Sequence, residues 1–166
     1  MSDVLFIRRE DLLRYTSIGG NVDTDKIIPH IKTAQDLHIT PLLGTKLYVK
    51  IEQIITAGTT SGVYYELLTD FIQPVIIHYA MSEFLQFHAY EISNGGVFRH
   101  ISENSTTPSL DEVMMLVQKS RDNGDHYRKR LLDHLCYYTS NFPEYTENQL
   151  DGQYPTSTRR LTRWSF

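Results

Sequence analysis

The sequence predicts an all-α fold: a helical bundle around a long central helix (about 71–92) and a long last helix (about 108–141). A small hairpin or loop at 93–100 and an extended C-terminal tail complete the reading. Three observations carry it. The stretch FIQPVIIHYAMSEFLQFHAYEI is apolar around most of a helical circumference, its polar residues His78, Ser82 and Gln86 falling on one narrow strip, so it needs neighbours on most faces. The segments on either side repeat apolar residues at the i, i+3, i+4 spacing of a buried helical stripe. Asn94-Gly95, set between strand-friendly residues, marks a tight turn.

Taken in order, residues 8–16 predict a short helix with apolar contacts from Leu12, Leu13 and Ile18, closed by Gly19-Gly20-Asn21. Asp23, Thr24 and Asp25 offer N-cap oxygens to a second helix, about 25–39, whose apolar face is Ile27, Ile28, Ile31, Ala34, Leu37, His38 and Ile39; Pro29 suits only its first turn. Pro41-Leu42-Leu43-Gly44 is a turn, and Thr45 caps a third helix of about 45–57 carrying Leu47, Tyr48, Ile51, Ile54 and Ile55. After a Gly/Thr/Ser loop at 58–62, residues 63–71 form a short helix leading into the central one, with Pro74 near the latter's start.

Beyond the hairpin, 102–107 reads as polar loop, and Ser109-x-x-Glu112 is a capping box that opens the last helix. Its stripe runs Val113, Met114, Val117, Tyr127, Leu131, Leu135, Tyr138 and Phe142. Ser120 and Gly124 lie on the same stripe, where a neighbouring backbone can approach closely or the helix can bend. Unbroken to Ser140 it would be about 50 Å long, enough for one end to reach past the bundle. From Pro143 the helical rhythm stops, dividing the chain into a helical domain (1–142) and a tail (143–166).

The totals exclude several classes. A net charge of −4 argues against a body that grips nucleic acid over its whole surface. One cysteine, Cys136, permits no internal disulfide and reads as a buried small hydrophobe. The central helix approaches the length of a membrane span, but Gln73, His78, Ser82, Glu83, Gln86 and His88 interrupt it at depths that hydrocarbon penalises. The charges in MSDVLFIRREDLL follow too short an apolar run for a signal peptide, and the chain reads as intracellular. Most of the 11 tyrosines are expected at the edge of the core.

No Gly-rich phosphate loop, HExxH, CxxC or Gly-x-Ser-x-Gly occurs in the sequence. His78 and His88 lack a Glu-x-x-His spacing, Glu83 is expected to find a partner on a packed neighbour, and Asp133-His134 and Cys136 point to different sides of a helix. The reading is therefore not an enzyme, with no cofactor and no metal. A site formed between subunits from Glu83 or the histidines is the enzymatic alternative. The distinctive chemistry lies at the C-terminus. Residues 152–166 hold Arg159, Arg160 and Arg163 and no acid, so taking their +3 from the net −4 leaves −7 on the rest. They also hold Leu161, Trp164 and Phe166, and Trp and Arg are the residue types most enriched at binding hot spots. An anchoring peptide is expected.

The segments AQDLHITPLLGTKLY (34–48), YYELLTDFIQPVIIHYAMSEFL (64–85) and ISNGGVFRHISENSTTPS (92–109) resemble the head–tail connector (adaptor or ring) proteins of tailed phages, in particular of crAss-like phages, over about residues 20–142. The resemblance implies a structural virion protein at the head–tail interface, assembled in the host cytoplasm. It implies a homo-oligomeric ring of roughly twelve copies that docks on the portal protein, extends the channel for passing double-stranded DNA without reading its sequence, and receives the next tail or ring component. Carried onto this chain, the partner-binding residues are Arg159, Arg160, Leu161, Arg163, Trp164 and Phe166, with loop contacts at Asn94, Gly95, Gly96, Phe98 and Arg99. A tail-completion or stopper protein, and a small helical DNA-binding or regulatory module, are the alternatives.

Overall fold

The structure, a computed structural model, describes residues 4–19, 22–88, 90–93, 96–99, 109–147 and 152–155. It is an all-α bundle of helices α1 (Arg9–Tyr15), α2 (Thr24–Ala34), α3 (Thr40–Thr56), α4 (Val63–Glu66), α5 (Gln73–His88), α6 (Leu110–Tyr137) and α7 (Pro143–Thr146). Strands β1 (Tyr90–Ser93) and β2 (Gly96–Arg99) form an antiparallel hairpin between α5 and α6, in the register Tyr90↔Arg99 to Ser93↔Gly96.

Two prolines determine where the helices widen. The π segments Gln35–Ile39 and Leu67–Ile72 join α2 to α3 and α4 to α5 without interrupting the helical run, and each ends two residues before a proline, Pro41 and Pro74. In the widened turns the Thr40 N–H reaches the Gln35 carbonyl and the Gln73 N–H reaches that of Leu68, five residues back. A proline inside a helix has no N–H to give and presses its ring on the preceding turn, and a π turn just before it makes room. Pro74, expected near a helix start, thus lies well inside a run that begins at Val63. Pro29 is likewise inside α2, beyond its first turn.

Other boundaries also differ from those the sequence suggests. The central helix stops at His88 rather than Ile92, because Tyr90–Ser93 pairs as β1; backbone pairing with Gly96–Arg99 outweighs a helical spacing that only the sequence shows. Gly44, at φ 71° and ψ 165°, breaks α3 in two, so the expected turn is present, but as a kink between two helical pieces. Asp23 is the N-cap of α2 yet makes no side-chain cap bond. The capping box of α6 forms as read: Ser109 N–H donates to Glu112 Oε2 at 2.7 Å, and Glu112 N–H to Ser109 Oγ at 3.2 Å. Pro143, expected to end the helical part, instead opens α7, whose Tyr145 is buried beside Phe142 in the core.

The core gathers Leu12, Ile31, Leu43, Leu47, Leu67, Ile76, Leu131 and Leu135 around α5, and α6 packs along α5 for most of its length. Of the polar strip of α5, His78 lies in that seam, Ser82 is buried and Gln86 is half-buried. Ser82 is fully buried and donates to the Tyr79 carbonyl at 2.8 Å, and His78 stacks on Tyr127 at 5.2 Å. Buried Gln35 ties the N-terminal segment down. Its Oε1 accepts the Phe6 N–H at 2.9 Å, and its Nε2 donates to the Val4 carbonyl at 2.9 Å and to Tyr48 Oη at 2.6 Å. Cys136, expected in the core, is exposed: it follows Leu135 on α6 and is turned off the buried stripe of Leu131 and Leu135. No described helix is long and apolar enough to cross a membrane.

Candidate functional site

The C-terminal segment returns to the bundle at the Gly44 kink. Thr45 and Gln153 exchange two hydrogen bonds: the Thr45 N–H donates to the Gln153 carbonyl at 3.0 Å, and the Gln153 N–H to Thr45 Oγ1 at 2.8 Å. The threonine expected to cap its own helix caps this strap instead. Gly44 makes the approach possible. A Cβ built there would lie 2.8 Å from Pro155 Cδ and 2.9 Å from the Gln153 carbonyl oxygen, and its positive φ already excludes most side chains. Pro155 is buried, Tyr154 is 56% exposed, and Gly152 rests on the Thr45 side chain. The backbone of Gln153 and the ring of Pro155 thus seat the strap on the kink.

Beyond Pro155 comes the basic, aromatic stretch. Arg159, Arg160, Leu161, Arg163, Trp164 and Phe166 lie outside the described residues, as do Asn94 and Gly95. Gly96, Phe98 and Arg99 are on β2, where the structure fixes their backbone register only. The strap therefore gives the tail residues a defined point of attachment, at the start of the second half of α3.

A second feature is the first two turns of α6. Val113 and Val117 are buried, but Leu110, Met114, Met115 and Leu116 are exposed, Met115 at 73%. Asp111 and Glu112 stand among them at the helix start, where the macrodipole favours acids. Four exposed apolar side chains thus fall within seven residues at one helix end. The spacing alone puts Met114 on the buried stripe. In the structure it falls at the edge.

The polar residues with chemical potential collect where the π segment and α6 meet α5. His38 lies flat on the Tyr79 ring at 3.6 Å, Tyr79 Oη donates to Asp125 Oδ1 at 2.5 Å, and Arg121 is 3.8 Å from Glu83. Burial pushes the Tyr79 phenol up, and its hydrogen bond to Asp125 adds to that. Burial, then Arg128 and Arg121, pull His38 below the ordinary imidazole value. Glu83 thus has its cross-helix partner, and the tyrosine donates to an exposed carboxylate. The described depression at Val49, Glu52, Gln53, Thr56 and Ala57 lies on α3 and opens to solvent. Among the described residues no group of His, Cys, Asp and Glu is arranged to hold a metal. Asp133, His134 and Cys136 form no cluster: His134 stacks on Phe71 at 3.9 Å, and Cys136 faces out.

Sequence reasoning finds Gly44 as a turn but misses the seat it forms with Thr45, Gly152, Gln153 and Pro155. The two partners are 108 residues apart, and no local periodicity reports such a pairing.

The described residues form an all-α bundle with a C-terminal strap seated at the Gly44 kink. The chain belongs to a family of unknown function, DUF6712, whose model matches residues 39–151, about two-thirds of the chain. The match begins at the end of the first π segment and stops one residue short of the strap. No curated protein and no solved structure matches the chain.

Proposed function

We propose that the protein is a structural virion component, a head–tail connector that assembles as a homo-oligomeric ring on the portal protein, extends the DNA channel and links the capsid to the tail. The observation that carries this reading is the strap. It fixes one end of a segment containing three arginines, a tryptophan and a phenylalanine to a body of opposite net charge, which is the construction of a tethered clasp. The exposed first turns of α6 support it as a second contact surface. An acidic body also suits a conduit, because walls that repel phosphate do not hold the passing duplex. In this reading Trp164 and Phe166 are the anchors, Arg159, Arg160 and Arg163 match acidic groups on the portal or a neighbouring subunit, and Asn94, Gly95, Gly96, Phe98 and Arg99 touch the next ring or subunit.

Light scattering of the full chain with and without its portal partner tests the proposal. The full chain should give a ring-sized species, alone or once portal is added. A chain ending at Pro155 should lose that assembly while keeping its helical circular dichroism. Full-length protein that stays monomeric with portal present overturns the ring, and equal assembly by the shortened chain overturns the clasp. Binding to duplex DNA that falls steeply with salt would instead favour a small nucleic-acid-binding module.

A further inference from the structure

The seat at Gly44 and Thr45 reads a peptide. It meets Gly152 with the Thr45 side chain, pairs with the backbone of Gln153 in both directions and takes the ring of Pro155 against the bare Cα of Gly44. This is recognition of an extended segment by main-chain pairing and one side-chain pocket, the mode by which exposed backbone edges capture short peptides. The last described helix, α7, ends at Thr146, five residues of sequence before the segment begins at Gly152. None of the contacts in the seat depends on which copy of the chain supplies the segment.

We infer that the seat at Gly44 and Thr45 is a docking site for residues 152–155 of a second copy as well as of its own chain, so that neighbouring subunits exchange straps. The bonds made in the two arrangements are identical, which makes exchange of an identical element a low-cost route to association. In a free subunit the short connection gives the chain's own strap an effective concentration on the order of millimolar, and that arrangement dominates. Copies held side by side meet at comparable local concentration, and the advantage disappears. Strap exchange needs only copies of this chain and requires neither a portal nor a virion.

The geometry supplies the test. A Cβ built at Gly152 lies 3.2 Å from Thr45 Cβ, close to the separation of roughly 3.5–4.5 Å that a disulfide spans. With Cys136→Ser removing the exposed native thiol, the double variant Thr45→Cys/Gly152→Cys should close an intrachain disulfide on mild oxidation. The two single variants, Thr45→Cys and Gly152→Cys, are then mixed in the same background and oxidised at rising concentration. Exchange predicts a covalent species of twice the chain mass, grown with concentration and mapped by mass spectrometry to a bond between positions 45 and 152. Adding Pro155→Gly to the Gly152→Cys partner should abolish it. An intrachain staple in the double variant with no bond between 45 and 152 in the mixture, even at chain concentrations of about 1 mM that match the effective concentration of the chain's own strap, overturns the exchange. Failure of the double variant to staple overturns the seat itself. Neither result depends on portal binding, so the connector reading and this one fail separately.

Discussion

The ring of Tyr79 occupies the space in which residue 124 would carry a side chain: a Cβ at Gly124 would lie 3.1 Å from both Cε1 and Cζ. On its other face the same ring is covered by His38, in parallel contact at 3.6 Å. Tyr79 thus has close neighbours from both a π segment and α6.

Those neighbours set the outcome of Gly124→Ala. Alanine in place of a mid-helix glycine ordinarily gains about 1 kcal/mol from helix propensity. Here the added methyl meets a ring that His38 covers on its other face, an overpacking cost of about 1–3 kcal/mol. The clash should win, lowering the urea midpoint of unfolding. A raised midpoint would mean that His38 yields its place.

Two tyrosine-to-phenylalanine changes should have opposite outcomes. Tyr79→Phe removes the bond to Asp125 and should cost about 1 kcal/mol, below the roughly 1.5–3 kcal/mol of a bond to a buried charge because Asp125 is exposed. A double-mutant cycle with Asp125→Asn should recover that coupling. The Tyr145 hydroxyl is buried with no hydrogen-bond partner among the described residues, and burial first, then Cys136, push its pKa up to about 12. Tyr145→Phe should therefore be neutral or stabilising in thermal unfolding. A loss as large as that of Tyr79→Phe would reveal a partner for the hydroxyl.

Gln35→Met keeps the volume of a buried side chain but leaves the Phe6 N–H without its acceptor and the Val4 carbonyl without its donor. The expected cost is about 1–3 kcal/mol. Amide exchange should show the Phe6 N–H losing protection before the rest of the bundle, whereas uniform exchange at every site would contradict a local tether.

Acid should loosen the bundle through its histidines. His30, His38, His78 and His134 all have pKa values pulled below 6.5, in each case chiefly by burial. A histidine depressed in the folded state binds its proton more readily when unfolded. Its contribution to stability is therefore complete above pH 6.5 and is lost as the pH falls through 6.5 towards the folded value. Urea midpoints should decline below pH 6.5, and NMR titration should place the His78 imidazole transition below that of a free histidine. A transition above 6.5 would mean that stacking on Tyr127 holds the charged ring, as a cation–π contact can, more strongly than burial opposes it.

The fold is legible in the sequence where its cause is local. The apolar surround of Val75, Ile76, Ile77 and Phe84 demands a buried helix, Ser109 and Glu112 fix the start of α6 through bonds three residues apart, and Asn94-Gly95 places the hairpin connection between β1 and β2. The stripe of α6 marks Gly124 as a point of close approach, though the neighbour is a ring instead of a backbone. Boundaries are less legible. The spacing runs the central helix on to Ile92, but Tyr90–Ser93 pairs with Gly96–Arg99 as a strand, which no local period reports.

By itself, then, the sequence determined the class of fold, the order of the helices, the acidic body and the basic aromatic end. Those rest on period, capping and charge, which depend on residues a few positions apart. Only the tertiary structure decided that His78 of α5 stacks on Tyr127 of α6, that the π turns precede Pro41 and Pro74, and that Gln153 and Pro155 close on Gly44 and Thr45. Each depends on groups from distant parts of the chain meeting in space, where burial and backbone hydrogen bonding outweigh any preference that a short stretch of sequence can express.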